Sequence, residues 1–342
     1  MEVTIKKHRL QFKRPSGTSR GVLTHKDSWF IVLREADKMG VGECSLIQGL
    51  SPDAQPNFQS KLNQIAVAFA KTQQLPDLQS WPAIKMGFET AIASLAAPQW
   101  WELYPSAFSQ GNAPLSINGL VWMGDKKFMK DQISSLLDKG FRCLKLKIGA
   151  LDFEEELALL KWIRTLFSPQ DLLLRVDANG AFSAHEALEK LNRLSTFAIH
   201  SIEQPIAANQ WEDMARLCAQ TPVPIALDEE LIGVYKTDKK ETLLKMIKPQ
   251  FLILKPSLLG GFKATEEWIA IAAKQNIDWW VTSALESNIG LNAIAQWTFC
   301  LQPNGPQGLG TGSLFTNNIQ LPLQVAAGKL SIQKNGLWPI PF

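Results

Sequence analysis

The stretch FRCLKLKIGALDFEEELALLKWIRTLF, Phe141 to Phe167, changes period part-way along. Its start alternates, so in an extended strand Leu144, Leu146 and Ile148 share one face while Phe141, Cys143, Lys145 and Lys147 share the other. After Gly149 the apolar residues take up helical spacing. Strand followed by helix is one βα unit. If both faces of the strand are covered, two ammonium groups lie side by side out of water, which desolvation and mutual repulsion both oppose. A half-exposed strand with its lysines in water is the ordinary explanation for Lys-x-Lys. The rest of the chain decides between the two.

The same beat recurs from about residue 113 onward. PLSINGLVW, DLLLRVDANG, AIHSIEQPI, VPIALDEE, FLILKPSLLGG and IDWWVTSALES are short apolar strands with polar ends, and a helical pattern follows each. QGLGTGSLF is a last strand-like piece, giving eight strands and seven clear helices. Successive strand ends are about 25 to 30 residues apart, the length of a βα unit. Such repetition predicts either a closed (β/α)8 barrel or an open doubly wound sheet, and eight units favour the barrel. No GxGxxG follows the first strands. GLGTGS, Gly308 to Ser313, has too little chain after it to complete a βαβ unit.

Residues 1–110 read differently, as an α+β module. EVTIKKHRLQF and SWFIVLREADKMGVGECS predict strands, the second folded into a hairpin at ADKMG, and two helical stretches follow. RPSGTSRGVLTHKD and LIQGLSPDAQ read as turn-rich loops. The expected organisation is an α/β protein: a (β/α)8-type barrel over 111–314 beneath this N-terminal capping domain, with about 315–342 completing the cap.

Composition excludes several classes. With 46% apolar and 20% charged residues the chain is not disordered, and its net charge of +3 is too dispersed to track a nucleic-acid backbone. Cys44, Cys143, Cys218 and Cys300 are far apart, without CxxC, so neither a zinc site nor a disulfide framework is expected. No apolar run approaches membrane-spanning length, and the N-terminus has no apolar signal core. A cytoplasmic protein with no membrane or nucleic-acid partner is expected; the oligomeric state is not legible.

In a (β/α)8 barrel the active site lies at the C-terminal strand ends. Those ends supply, in order, Lys145 and Lys147, Asp177, Glu203, Asp228, Lys255, and then Ser283 with Glu286 and Ser287. Three carboxylates meeting at one mouth repel unless a cation sits among them, and an all-oxygen set selects Mg2+ or Mn2+. Such an ion would also lower an ammonium pKa, making a lysine available as a base. The chemistry that follows is proton abstraction α to the carboxylate of a small-molecule substrate, leading to racemisation, elimination or cycloisomerisation. A barrel that binds a small acid without turnover is the competing class.

The motifs LKLK at Lys145, RVDAN at Asp177, IEQP at Glu203, ALDEE at Asp228, LKPSLLGG at Lys255 and TSALES at Ser283 resemble the enolase superfamily, in particular its muconate-lactonizing subgroup. Within that subgroup the chain is most similar to the syn-dehydrating synthases of menaquinone biosynthesis, nearly end to end. The resemblance implies Mg2+ on Asp177, Glu203 and Asp228. It implies that Lys147 removes the α-proton and then assists hydroxide departure, that Lys255 stabilises the enediolate from the other face, and that Lys145 contacts the substrate carboxylate and holds down the pKa of Lys147. Ser283 and the backbone near Gly310 would receive the succinyl arm, with loops 14–25 and 49–53 closing above. Arg175 could pair with a carboxylate or meet substrate, Glu229 would lie behind the ligands, and Asn179 reads as a turn residue.

The nearest competitors are N-acylamino acid racemases and dipeptide epimerases, which keep both lysines. Epimerases of this kind carry Asp-x-Asp at the eighth strand, absent from GLGTGS. Branches with a histidine base fit poorly, because His8, His25, His185 and His200 all fall away from the barrel strand ends. Relatives often have Asp at position 310 and Ser at 230, where this chain has Gly310 and Glu230, and these departures bear on the pocket rim.

Overall fold

A computed structural model describes residues 1–18 and 21–342. Ser19 and Arg20, within the expected closing loop 14–25, lie outside the described residues. The N-terminal module is an antiparallel sheet of β1 (Glu2–Thr18), β2 (Gly21–Glu35) and β3 (Lys38–Ser45), in that spatial order. Helices α1 (Phe58–Thr72) and α2 (Pro82–Ala96) cover it, burying Ile31, Leu33, Leu62, Phe69 and Phe88 in one cluster. The approach of α2 is close because of glycine: a Cβ on Gly42 would run into the backbone of Gly87.

One expected loop is strand. The described residues of RPSGTSRGVLTHKD, 14–18 and 21–27, belong to β1 and β2, whose pairing runs to Gln11↔His25, slips, and resumes at Ser16↔Leu23. The Pro-Ser-Gly signal marks that irregularity, where a residue without an N–H is tolerated, and not a connection between strands. The β2–β3 hairpin turns at Ala36, as ADKMG predicts, with φ of 53°.

The second module begins with β4 (Leu115–Ser116) and β5 (Gly119–Val121). It then alternates α3 (Lys126–Asp138), β6 (Cys143–Lys147), α4 (Phe153–Leu166), β7 (Leu173–Asp177), α5 (Ala187–Ser195), β8 (Ser201–Glu203), α6 (Trp211–Gln220), β9 (Ile225–Leu227) and α7 (Thr237–Ile247). β10 (Phe251–Leu254), α8 (Pro256–Leu259), α9 (Gly261–Ala273), β11 (Asp278–Val281) and α10 (Asn288–Cys300) follow. Seven parallel strands, β5 to β11, lie in sequential order in one curled sheet. The eighth expected strand is reduced to two residues. Gln307 bridges Ile117 and Gly308 bridges Thr282, so this pair closes the barrel between its first and last strands.

Expected strand PLSINGLVW is also divided. β5 joins the barrel, whereas β4 pairs antiparallel with β13 (Lys329–Ile332), which forms a hairpin with β12 (Leu323–Ala326). The C-terminal stretch therefore serves two places: Phe315 packs with Phe12 of the cap and Phe342 with Phe30, while the 323–332 hairpin lies on β4.

Barrel strands bury both faces, which explains their unbroken apolar character. Leu144, Leu146, Val176, Ile202, Leu227 and Leu254 face the helices in the main core. Inside, Ala226, Ile253 and Trp280 make a small apolar floor. Arg175 lies over Trp280, its Cζ 3.8 Å from the ring centroid, and gives a hydrogen bond to Pro306 O at 2.8 Å. Arg175 thus packs on the floor, and among the described residues these contacts take the place of the expected pairing with a carboxylate.

Candidate active site

Lys145 and Lys147 are on one strand face because they are two residues apart on β6, and β7 brings Asp177 directly opposite Lys147 in register. β8 sets Glu203 opposite Asp177. Asp228 and Lys255 follow immediately after β9 and β10. Five consecutive strands thus deliver all six expected charged residues to one mouth, and the half-exposed reading of Lys-x-Lys falls: Lys145 is 7% exposed.

The charges interlock. Lys145 Nζ donates to Glu203 Oε2 at 2.6 Å and lies 2.8 Å from Asp177 Oδ2. Lys147 Nζ reaches the same Asp177 Oδ2 at 2.5 Å and donates to Asn179 Oδ1 at 2.6 Å. Lys255 Nζ pairs with Asp228 and stands 3.8 Å from Glu203 Oε1. By themselves the three carboxylates do not gather round a point among the described residues. Lysine ammonium groups stand between them.

Burial sets the electrostatics. Burial, then repulsion by Asp177, pushes Glu203 up to about 8. Burial works in the same direction on Asp177, but Lys145 and Lys147 overcome it and hold that carboxyl well below its usual range. Asp228 is likewise lowered by Lys255 and Lys145 against the effect of burial. Lys145 and Lys255 are raised, since the surrounding carboxylates outweigh desolvation. That is opposite to the lowered ammonium expected beside a divalent ion, and it is what the protein charges alone impose.

A hard divalent ion fits these residues. Its donor set is all oxygen, and Glu203 Oε1 is buried without a hydrogen-bond partner among the described residues, a costly state for a carboxylate unless a cation approaches. Gln204 steadies the surroundings: its side-chain oxygen accepts from Asp228 N at 3.1 Å and its amide donates to Glu230 at 3.1 Å. Glu230, expected at the rim, is buried behind the strands, where it also accepts from Asn209 N.

Above the mouth is a cavity of about 810 Å³ lined by Lys145, Lys147 and Lys255 and also by Asn179, Glu229, Ser283, Gly310 and Thr311. The cap contributes Lys13, Arg14, Leu23, Ile47, Gln48 and Leu50, so both expected closing loops reach it. Asp53, at the end of the second, is instead buried, accepting from Ala83 N and Ile84 N at the start of α2.

Two expected substrate contacts do not line the cavity. Glu286 is buried with one oxygen taken by Ser257 and the other by Ser283, both at 2.6 Å. Ser287 caps α10, accepting from Ile289 N at 3.1 Å, and donates to Glu43 at 2.6 Å. The sequence groups them with Ser283 at one strand end, but the chain turns into a helix here. Conversely Asn179, read as a turn residue, both makes the turn (φ 45°) and links Lys147 to Glu229, which accepts from its amide at 2.9 Å. Only its place two residues after Asp177 signalled this.

Comparisons with known proteins agree with the geometry. The model of the family described as "Enolase C-terminal domain-like" matches residues 129–337. An o-succinylbenzoate synthase from Desulfotalea psychrophila is 46% identical, over 97% of this chain and 99% of its own. The crystal structure of MenC from the same organism superposes with a TM-score of 0.87 at 43% identity, covering 97% of this chain and 99% of that one. An N-succinylamino acid racemase from Thermus thermophilus is 34% identical over 59% of this chain and 52% of its own.

Proposed function

The chain belongs to the enolase C-terminal domain-like family, and on that premise we propose that it is an o-succinylbenzoate synthase. The reaction is the syn dehydration of 2-succinyl-6-hydroxy-2,4-cyclohexadiene-1-carboxylate to 2-succinylbenzoate. The observation that carries this reading is the pair Lys147 and Lys255. Each is 12% exposed at the side chain, each lines the cavity, and each is anchored to a different carboxylate, Asp177 and Asp228.

Asp177, Glu203 and Asp228 would hold a divalent magnesium ion, which when bound supplies Lewis-acid stabilisation of charge developing on the substrate carboxylate. Lys147 takes the α-proton, with Asp177 and Asn179 aiming its Nζ. The C–H electron pair enters the ring, the C–O bond on the same face breaks, and the proton returns from Lys147 to the departing hydroxide as water. Lys255, as ammonium, lies against the opposite face and stabilises the enediolate. Lys145, raised by its carboxylates, stays protonated and attracts the substrate carboxylate.

Formation of the arene followed by absorbance, with Mg2+ and with EDTA, tests the assignment. Turnover that needs the metal is expected, and Lys147→Ala should lower kcat by about 10³-fold or more, as loss of a general base does, while leaving the far-UV spectrum unchanged. Retained activity in that variant would remove Lys147 as the base. The Thermus relative favours a second reading, N-succinylamino acid racemisation. No arene formation, together with solvent deuterium appearing at the α-carbon of N-succinylamino acids, would establish it instead.

A further inference from the structure

Lys26 lies on β2 of the cap, yet it is 5% exposed and reaches the barrel. Its Nζ donates to Leu285 O at 2.9 Å, to Ser28 Oγ at 3.2 Å and to Ser45 Oγ. An ammonium has three donors and no acceptor, so all three N–H groups are used. Ser45 carries the link onward, donating to Ala284 O at 3.0 Å. Two buried carboxylates, Glu43 and Glu286, supply the opposing charge without replacing these contacts.

What Lys26 holds is an unusual piece of backbone. Leu285 has φ of 61°, a left-handed conformation that a branched residue adopts only when its surroundings impose it. Both of its backbone polar groups are clamped: the N–H by Ser283 Oγ at 2.8 Å and the carbonyl by Lys26. Leu285 and Ser283 line the cavity, whereas Lys26 does not. The Ser283 hydroxyl is itself saturated, donating to Glu286 and accepting from Thr311 Oγ1 at 2.8 Å as well as from Leu285 N.

We propose that Lys26 is a positioning residue for substrate binding: from the cap it fixes the Ser283–Leu285 turn in the shape that forms one end of the cavity. The inference rests on the synthase reading above, because it is read through that reaction. It makes the cap part of the specificity apparatus through a cation that never meets the substrate. A charged donor is used because a carbonyl in a strained turn, buried at the seam of two modules, is held more firmly by an ammonium than by a neutral group.

Steady-state kinetics of Lys26→Met and Ser45→Ala, each also in a Ser283→Ala background, test it. Loss of a charge-assisted hydrogen bond is expected to raise KM about tenfold in Lys26→Met with kcat within about threefold. Ser45→Ala should raise KM less, in the same direction. Because the effect runs through the Ser283–Leu285 turn, it should shrink in the Ser283→Ala background, whereas a general loss of stability would be additive. If Lys26→Met does not fold, Ser45→Ala decides. Unchanged KM in the folded variants, a fall confined to kcat, or full additivity with Ser283→Ala would overturn the inference. Absence of arene formation by the unsubstituted protein would overturn the synthase reading and not this one alone.

Discussion

Asp177 Oδ2 receives two ammonium groups, Lys145 at 2.8 Å and Lys147 at 2.5 Å, while Oδ1 accepts from Asn179 N at 3.0 Å. One carboxylate therefore separates two like charges and also belongs to the proposed ion set. Asp177→Asn keeps the shape and removes the charge. Divalent-ion affinity measured by calorimetry should fall at least about tenfold, the scale on which even outer partners of a metal site act. Unchanged affinity would take Asp177 out of the set. At this scale the charged residues were legible because lysines and acids at apolar strand ends are costly anywhere but a functional mouth. Glu286 and Ser287 lie away from the cavity, and Asn179 does more than make its expected turn; a polar side chain near a site has the same letters whether it faces the cavity or the wall.

Among the elements, α2 depends on a residue far from it in sequence. Its own N-cap, Trp81, offers no side-chain acceptor, Pro82 occupies the first turn, and Asp53 caps from the 49–53 loop through Ala83 N and Ile84 N. Burial pushes Asp53 up to about 7, the backbone bonds opposing only in part. An acid raised on folding contributes stability below its unfolded pKa, near 3.9, and loses that contribution as pH rises through about 7. Asp53→Asn is neutral throughout. Between pH 5 and 8 the melting temperature of the unsubstituted protein should therefore fall relative to that of Asp53→Asn; a constant difference across the range would rule out the buried acid. The helix was legible from its spacing, but its cap was not, since nothing local marks an acceptor supplied in trans. In the same way Pro15, Ser16 and Gly17 carry the letters of a loop, whereas the pairing partner that makes the stretch a strand, around Leu23, lies on β2.

For the molecule as a whole, the eight-unit beat announced a barrel, and the barrel closes through less strand than the beat implied. Seven strands were legible as apolar runs buried on both faces. The eighth was not, because QGLGTG has no apolar run and its closure rests on hydrogen bonds. Gln307 N donates to Ser116 O at 2.8 Å and Asn118 N donates to Gln307 O at 2.9 Å on one side. Gly308 N donates to Val281 O at 2.8 Å and Ser283 N to Gly308 O at 3.1 Å on the other. The Gln307 side chain is a further clasp, fully buried, accepting from Val281 N at 2.8 Å and donating to Gly305 O at 3.0 Å. Gln307→Ala leaves the Val281 N–H buried and unpaired at the seam, a loss of about 1–3 kcal/mol. The denaturant midpoint should fall by that loss divided by the slope, with the slope itself unchanged, since the folded and unfolded surfaces are the same. Ser283 hangs on the same seam through Gly308, so KM should rise in parallel. An unaltered midpoint would mean that the backbone pairs of 307 and 308 close the cylinder unaided.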